Sequence, residues 1–269
     1  MIKDITLGQY FPGKSVIHRL DPRIKLLLTL IYIVMLFAAS GFLGLGVGIV
    51  FLVLSFLLSG IPIKMMAKSV KPIIPIIIFT GILNLLFVSS GDVLFSYGFI
   101  TITYDGLRTM IFMAVRIVFL ICGTSLLTYT TSPIALTDAI ERILSPLRAI
   151  KFPSHEIAMM MTIALRFIPT LIEETDKIMS AQKARGADLE SGTLVRRAKA
   201  LVPILIPLFI SAFRRAEELA LAMECRCYRG GEGRTRMKQL KTTWRDYVAV
   251  IISLIFFAGV ILLNIFLPI

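Results

Sequence analysis

Two arginines stand in closely similar settings 41 residues apart, in Ala184-Arg185-Gly186 and Cys225-Arg226-Cys227, each closing a helix-patterned stretch. A guanidinium presents its N–H donors as a planar fork that grips a carboxylate with two bonds, which lysine cannot reproduce. The small neighbours Ala184, Gly186, Cys225 and Cys227 leave that fork unobstructed, so each arginine can enter a groove on a partner. Gly186 and the Gly230-Gly231 pair supply the positive φ on which helices commonly stop, which puts both arginines near helix C-termini. A basic residue there also complements the helix dipole without any partner. Both readings stand on these residues alone.

The stretches that must carry the arginines are related. Shifted by 41 positions, Leu165, Ile168, Leu171, Ile172, Ile178 and Met179 fall on Ile206, Phe209, Ala212, Phe213, Leu219 and Ala220, apolar at every pair. The i, i+3, i+4, i+7 spacing is helical, and its recurrence is a weak internal duplication. Glu174, Asp176, Glu217, Glu218 and Glu224 on these stretches either position the helices or are simply solvated.

Other chemistry is thin. Gly8-Gln9-Tyr10-Phe11-Pro12-Gly13-Lys14-Ser15 spells the nucleotide-binding pattern G-x-x-x-x-G-K-[ST], but no strand precedes it and Pro22 interrupts any helix begun at Ser15. The only histidines are His18 and His155, and three cysteines make no zinc or disulfide framework, so neither catalysis nor a cofactor is expected. Cys225 and Cys227 read as reduced thiols filling small positions rather than a redox pair.

With 57% hydrophobic residues and a mean hydropathy of +0.84, the chain exceeds what a soluble surface tolerates. Nothing charged appears from Leu26 to Ile63, which is room for two helices of about 20 residues each, with Ser40-Gly41 as the turn. Further uncharged runs go from Pro72 to Gly91, from Thr109 to Thr137 broken only by Arg116, and from Tyr247 to Ile269. The expectation is an all-α membrane protein with about five spans and no cleaved signal peptide. Arg116 is expected to face protein or snorkel, and Asn84 to hydrogen-bond another helix.

Basic residues near span ends favour the cytoplasmic side. Lys3, Lys14, Arg19, Arg23 and Lys25 precede the first span, and Lys64, Lys68 and Lys71 follow the second, whereas the loop after the third holds Asp92 and Asp105. The N-terminus therefore reads as cytoplasmic. Residues 1–131 hold the leader and four spans, 132–245 a cytoplasmic block of long amphipathic helices, and 246–269 the last span. Most of the net charge of +12 lies in that block, where topology and anionic lipid explain it before nucleic acid does. Ile157 to Ile172 carries Arg166 and Pro169. Ala200 to Phe213 carries Pro203 and Pro207 between Arg196, Arg197 and Lys199 on one side and Arg214 and Arg215 on the other. Both read as apolar helix starts at the membrane interface, with a re-entrant hairpin as the competing arrangement.

In order and placement, the chain resembles the transmembrane T component of energy-coupling factor (ECF) ABC transporters. The likeness rests on Gly8-Gln9-Tyr10, His18-Arg19-Leu20-Asp21-Pro22-Arg23, Ala164-Leu165-Arg166-Phe167-Ile168-Pro169, Ala184-Arg185-Gly186, Ala222-Met223-Glu224, Arg226 and Tyr228-Arg229-Gly230. Cys225 stands where the family commonly has alanine. The resemblance implies a non-catalytic scaffold in the bacterial cell membrane, joining two cytoplasmic ABC ATPases to a substrate-capturing S component for vitamin or micronutrient uptake. Arg185 and Arg226 would dock the ATPases. The chain looks more like the shared type than the dedicated metal-uptake type. A self-contained secondary transporter using Arg116 and Asn84, or a membrane anchor, are the rival readings.

Overall fold

The computed structural model describes residues 10–88, 92–97, 100–150, 152–187, 193–230 and 240–266. Lys3, Gly8, Gln9, Gly91, Gly231 and Ile269, named above, lie outside them. The chain divides into two compact units, one formed by Gly8–Ala139 with Gln239–Ile269, the other containing Ile140–Lys238.

The first unit is a helical bundle. Helix α1 (Pro22–Ala38) starts because Asp21 caps it, accepting from the Arg23 amide at 2.9 Å, and because Pro22 has its fixed φ at the first helical position. After a turn at Ala39–Gly41, α2 (Phe42–Ser59) runs until Gly60, at φ 69°, reverses the chain. Helix α3 (Ile63–Val70) passes through a short 3-10 turn, Lys71–Ile73, into α4 (Ile74–Phe87). Pro72 and Pro75 remove the amides that would continue the α ladder there. Lys64, Lys68 and Lys71 therefore lie in the first turns of the third span rather than in a loop before it.

Two short antiparallel strands that the periodicity does not announce, β1 (Val93–Tyr97) and β2 (Ile100–Thr103), join α4 to α5 (Tyr104–Thr130). Thr103 closes this connection: its Oγ1 donates to the Val88 carbonyl at 2.8 Å and accepts from the Gly106 amide. Helix α6 (Pro133–Leu144) follows, and α9 (Trp244–Phe266) completes the bundle, packing on α1 and α2, while α4 packs on α5.

The buried centre is small: Tyr32, Met35 and Leu36 of α1 meet Leu45 and Leu52 of α2, Cys122 of α5 and Val260 of α9. Large apolar side chains such as Leu57, Phe79, Ile255 and Phe266 face outward. That inversion of the soluble pattern is what a hydrocarbon solvent permits. Gly123 makes a close approach possible, since a Cβ there would meet the Tyr32 ring at 2.2 Å.

Five described helical stretches are long and apolar enough to cross a membrane: Phe42–Ser59, Ile63–Phe87, Tyr104–Thr130, Ser154–Ala184 and Trp244–Phe266. The total equals the expected one, but the membership differs. At 17 residues, α1 is about 26 Å long, at the short end of what crosses a ~30 Å core; the stretch Ser154–Ala184 is the one that the uncharged runs did not include.

Arg116 faces protein, as expected. Its Nη2 donates to the Ala39 carbonyl at the end of α1, and its guanidinium lies 4.5 Å from the Phe112 ring centre. Asn84 does not bridge helices: its Nδ2 donates to Thr80 O in its own helix at 2.8 Å, which satisfies the amide without a neighbour. The interhelical amide is Asn264, which donates to Ala38 O and accepts from the Ser40 amide at 3.2 Å, holding the α1–α2 turn to α9.

The second unit contains two long helices, α7 (Ser154–Ala184) and α8 (Leu194–Cys225), packed on each other. Pro169, Pro203 and Pro207 lie inside them without ending them. His155 Nδ1, at the start of α7, is 3.1 Å from Glu141 Oε1.

Candidate functional site

The ends of α7 and α8 are built alike. Arg185 is the C-cap of α7, with φ −84° and ψ 6°; Arg226 is the C-cap of α8, with φ −92° and ψ 15°. Past α7, the Gly186 amide donates to Lys183 O at 3.0 Å and the Ala187 amide to Gln182 O at 3.0 Å. Past α8, the Cys227 amide donates to Glu224 O at 2.8 Å and the Tyr228 amide to Met223 O at 3.0 Å. Each pair of bonds is a Schellman motif, which satisfies the carbonyls a helix end otherwise leaves orphaned.

The left-handed residue that each motif needs is Gly186, at φ 83°, in the first. In the second it is Cys227, at φ 56°, and not the Gly230-Gly231 pair that the sequence points to. Gly230 is also left-handed, at φ 87°, but lies three residues further on. A side chain in this region crowds the following carbonyl and costs ~1–2 kcal/mol, so α8 accepts strain to end where α7 ends.

Ala184, Arg185 and Gly186 are exposed at one tip, and Cys225, Arg226 and Cys227 at the other. Both cysteines there are free thiols. Each tip thus presents a guanidinium on a fixed turn between small residues, the arrangement required for a forked bond to a carboxylate.

The duplication reaches further than apolar spacing. Arg215 Nη2 donates to Glu174 Oε2 at 2.9 Å, joining α8 to α7 across a sequence separation of 41, the same offset that relates the arginines. Of the acids named earlier, Glu174 thus has a positioning contact. The two apolar faces are unequal: Leu165, Ile168 and Ile172 of α7 are half-buried, whereas Ile206, Phe209 and Phe213 of α8 are exposed.

The leader motif has a structural job in the bundle. His18 Nε2 lies 2.9 Å from Phe11 O and so donates to it, leaving Nδ1 to accept from Ser15 Oγ at 2.7 Å. Ser15 is occupied by this turn, and no helix begins there, so the described part of the apparent nucleotide loop lacks the geometry of one. Asp21 is bound bidentately by Arg23, with Nη2–Oδ2 at 2.7 Å, and its amide donates to the buried Asp246 carboxylate at 2.8 Å. Burial pushes the Asp21 carboxyl up, but hydrogen bonds from Arg23 and the charges of Arg23 and Lys25 outweigh it and hold the group below its ordinary 3.8. Asp246 also accepts from the Thr243 amide at 2.6 Å and hydroxyl at 2.9 Å, capping α9. Asp246 was missed in sequence; a Thr-x-x-Asp spacing before an apolar run was its signal.

Residues 13–237 match the family described as CbiQ, cobalt transport protein. A protein of Ruminiclostridium cellulolyticum named energy-coupling factor transporter transmembrane protein EcfT is 56% identical over 264 residues, covering 98% of each chain. Proteins of the same name from Clostridium kluyveri and Bacillus subtilis are 58% and 47% identical, over 95% and 97% of this chain and 95% and 98% of their own lengths.

Proposed function

The chain belongs to the EcfT-type transmembrane components of energy-coupling factor transporters, and on that premise we propose that it is the scaffold through which two cytoplasmic ABC ATPases drive an S component. It is a multi-pass membrane subunit of a transporter. In the proposed arrangement residues 1–131 and 246–269 form the membrane part, 132–245 the coupling region, and the N-terminus is cytoplasmic in the bacterial cell membrane. ATP hydrolysis belongs to the partners. In the same reading the chain serves several S components for vitamins or related micronutrients.

The observation that carries the reading is the pair of matched tips. Two arginines on caps with the same hydrogen-bond pattern suit two similar grooves, one per ATPase, and Ala184, Gly186, Cys225 and Cys227 keep the approach clear. A basic side chain placed only to complement a dipole needs no such repetition of backbone geometry. The exposed face of α8 at Ile206, Phe209 and Phe213 suits the S component. In this reading α7 lies at the interface despite its length, because Arg166 and Pro169 sit in the apolar half that would have to cross. A secondary-transport path has little support, since Arg116 is bonded to Ala39 O and Asn84 to Thr80 O.

The test is purification of the tagged chain from its native membrane, with and without Arg185→Glu plus Arg226→Glu. Two ATPases and small membrane proteins should accompany the unaltered chain, and the ATPases should be lost from the variant along with uptake. Normal assembly and uptake in the variant would overturn the assignment.

A further inference from the structure

Within the bundle, a cavity of about 380 Å³ opens between α1, α2, α5 and α9. Its walls are apolar, including Leu28, Leu52, Leu58, Leu126, Val248 and Ile252. Its polar lining gathers at one end, where α1 and α9 begin and α5 finishes: Lys25, Thr130, Trp244 and Arg245. Thr29 and Ser55, further along, donate to carbonyls of their own helices.

Lys25 is only 5% exposed, an unusual state for an ammonium beside an apolar space. Its Nζ donates to Thr130 O at 2.8 Å and His18 O at 3.2 Å. An ammonium has three donors, so one remains for a ligand oxygen. The nearby acid Asp246 is engaged by Asp21 and Thr243, and Asp21 by Arg23. Arg245 and Trp244 at the mouth are exposed, and Arg19, between the lining residues Ile17 and Leu20, is exposed too. A tryptophan with basic residues at a span end marks the headgroup level of a bilayer.

The geometry points to a binding site for an anionic phospholipid, with one acyl chain inside the cavity and the phosphate between Arg245 and Lys25. The chain gains no hydrophobic free energy by leaving the bilayer, which is as apolar as the cavity. Two other terms select it. Filling the space restores dispersion contacts that its lining otherwise lacks, and the basic mouth discriminates among headgroups by charge. The site is built from other residues than the arginine tips and does not depend on their role.

Trp244 is the only tryptophan in the chain and a natural reporter. The full chain would be placed in phosphatidylcholine nanodiscs containing a minor fraction of acyl-brominated lipid, either phosphatidylglycerol or phosphatidylcholine, and Trp244 quenching measured. Brominated phosphatidylglycerol should quench at about fivefold lower mole fraction, the preference expected from one basic contact. Arg245→Gln should abolish that preference, and Ala249→Phe, which fills the cavity, should remove the saturable component for either lipid. Should Ala249→Phe fail to fold, Arg245→Gln at the exposed mouth still decides. Equal, non-saturating quenching by both lipids would mean boundary lipid alone and would overturn the site. Saturable quenching without headgroup preference would overturn its anionic occupant.

Discussion

Arg215 and Glu174 form an ion pair at 2.9 Å and occupy the same place in the two repeats, each the same number of residues before the arginine at its own helix tip. That interval is about three turns, or ~16 Å. The two tips therefore lie equally far along their helices from a shared contact, where apolar packing alone would permit α7 and α8 to slide. Both side chains are about one-third exposed, at 29% for Glu174 and 36% for Arg215, so the pair is a registration device rather than a large source of stability.

Reversing one charge tests registration. Glu174→Arg should impair uptake by placing like charges together, while Glu174→Arg with Arg215→Glu should restore most of it. A double-mutant cycle on stability should return roughly 0.5–1 kcal/mol or less. If the charge-swapped double variant transports no better than the single one, the pair does not set the register.

The strained cap at Cys227 predicts an asymmetry between the tips. Cys227→Gly should stabilise the end of α8 by about 1 kcal/mol, whereas Gly186→Ala should destabilise the end of α7 by a similar amount. Hydrogen exchange at the Tyr228 and Ala187 amides, the ones closing each motif, reads the two effects separately. Slower exchange in the first variant and faster in the second is the expected outcome.

Asp246 is 2% exposed and accepts from Asp21 and twice from Thr243. Asp246→Ala strands those donors and leaves Lys25 with less compensating charge, at a cost of roughly 3 kcal/mol or more. Thermal unfolding in detergent should shift down markedly. Thr243→Ala, which removes only the hydroxyl bond, should cost about 1 kcal/mol.

The Asp21 carboxyl is held below its ordinary 3.8 in the fold. A depressed folded-state pKa means that the unfolded chain binds the proton first, so this contribution to stability is complete above the ordinary value of 3.8 and is lost as pH drops through the folded one. Unfolding should therefore become easier below about pH 4, and Asp21→Asn should flatten that acid limb while lowering stability at neutral pH. An unchanged acid limb in Asp21→Asn would assign it to other carboxylates.

Gly123 leaves room for the Tyr32 ring, which is 3% exposed and donates its hydroxyl to Phe119 O at 3.1 Å. Gly123→Ala should push the ring aside and cost ~1–3 kcal/mol, measurable as a lowered unfolding temperature. Gly46→Ala, where nothing lies within 4 Å, is the matched control.

Much of this protein was legible in its order of residues. Long uncharged runs leave a chain few alternatives to spanning helices, because hydrocarbon offers backbone groups no other partner. The α1–α2 turn, the cap at Gly186, and the recurrence that placed Arg185 and Arg226 on similar helix ends all follow from local chemistry acting within a few residues. What escaped was whatever depends on distant segments or on a near tie. Helix α1 is held to 17 residues because Asp21 begins it and the turn at Ala39 closes it, while α7 runs straight through Pro169. Cys227 took the left-handed position although glycine stood nearby, because the carbonyls of Met223 and Glu224 set where the cap must close. Asn84 turned to its own helix, Asn264 to the α1–α2 turn, and Arg215 found Glu174. Composition and periodicity determined that this is a helical membrane protein with two matched arginine tips; only tertiary structure decided which polar groups satisfy one another, because burial costs a polar group its water and obliges it to find whatever partner folding brings within reach.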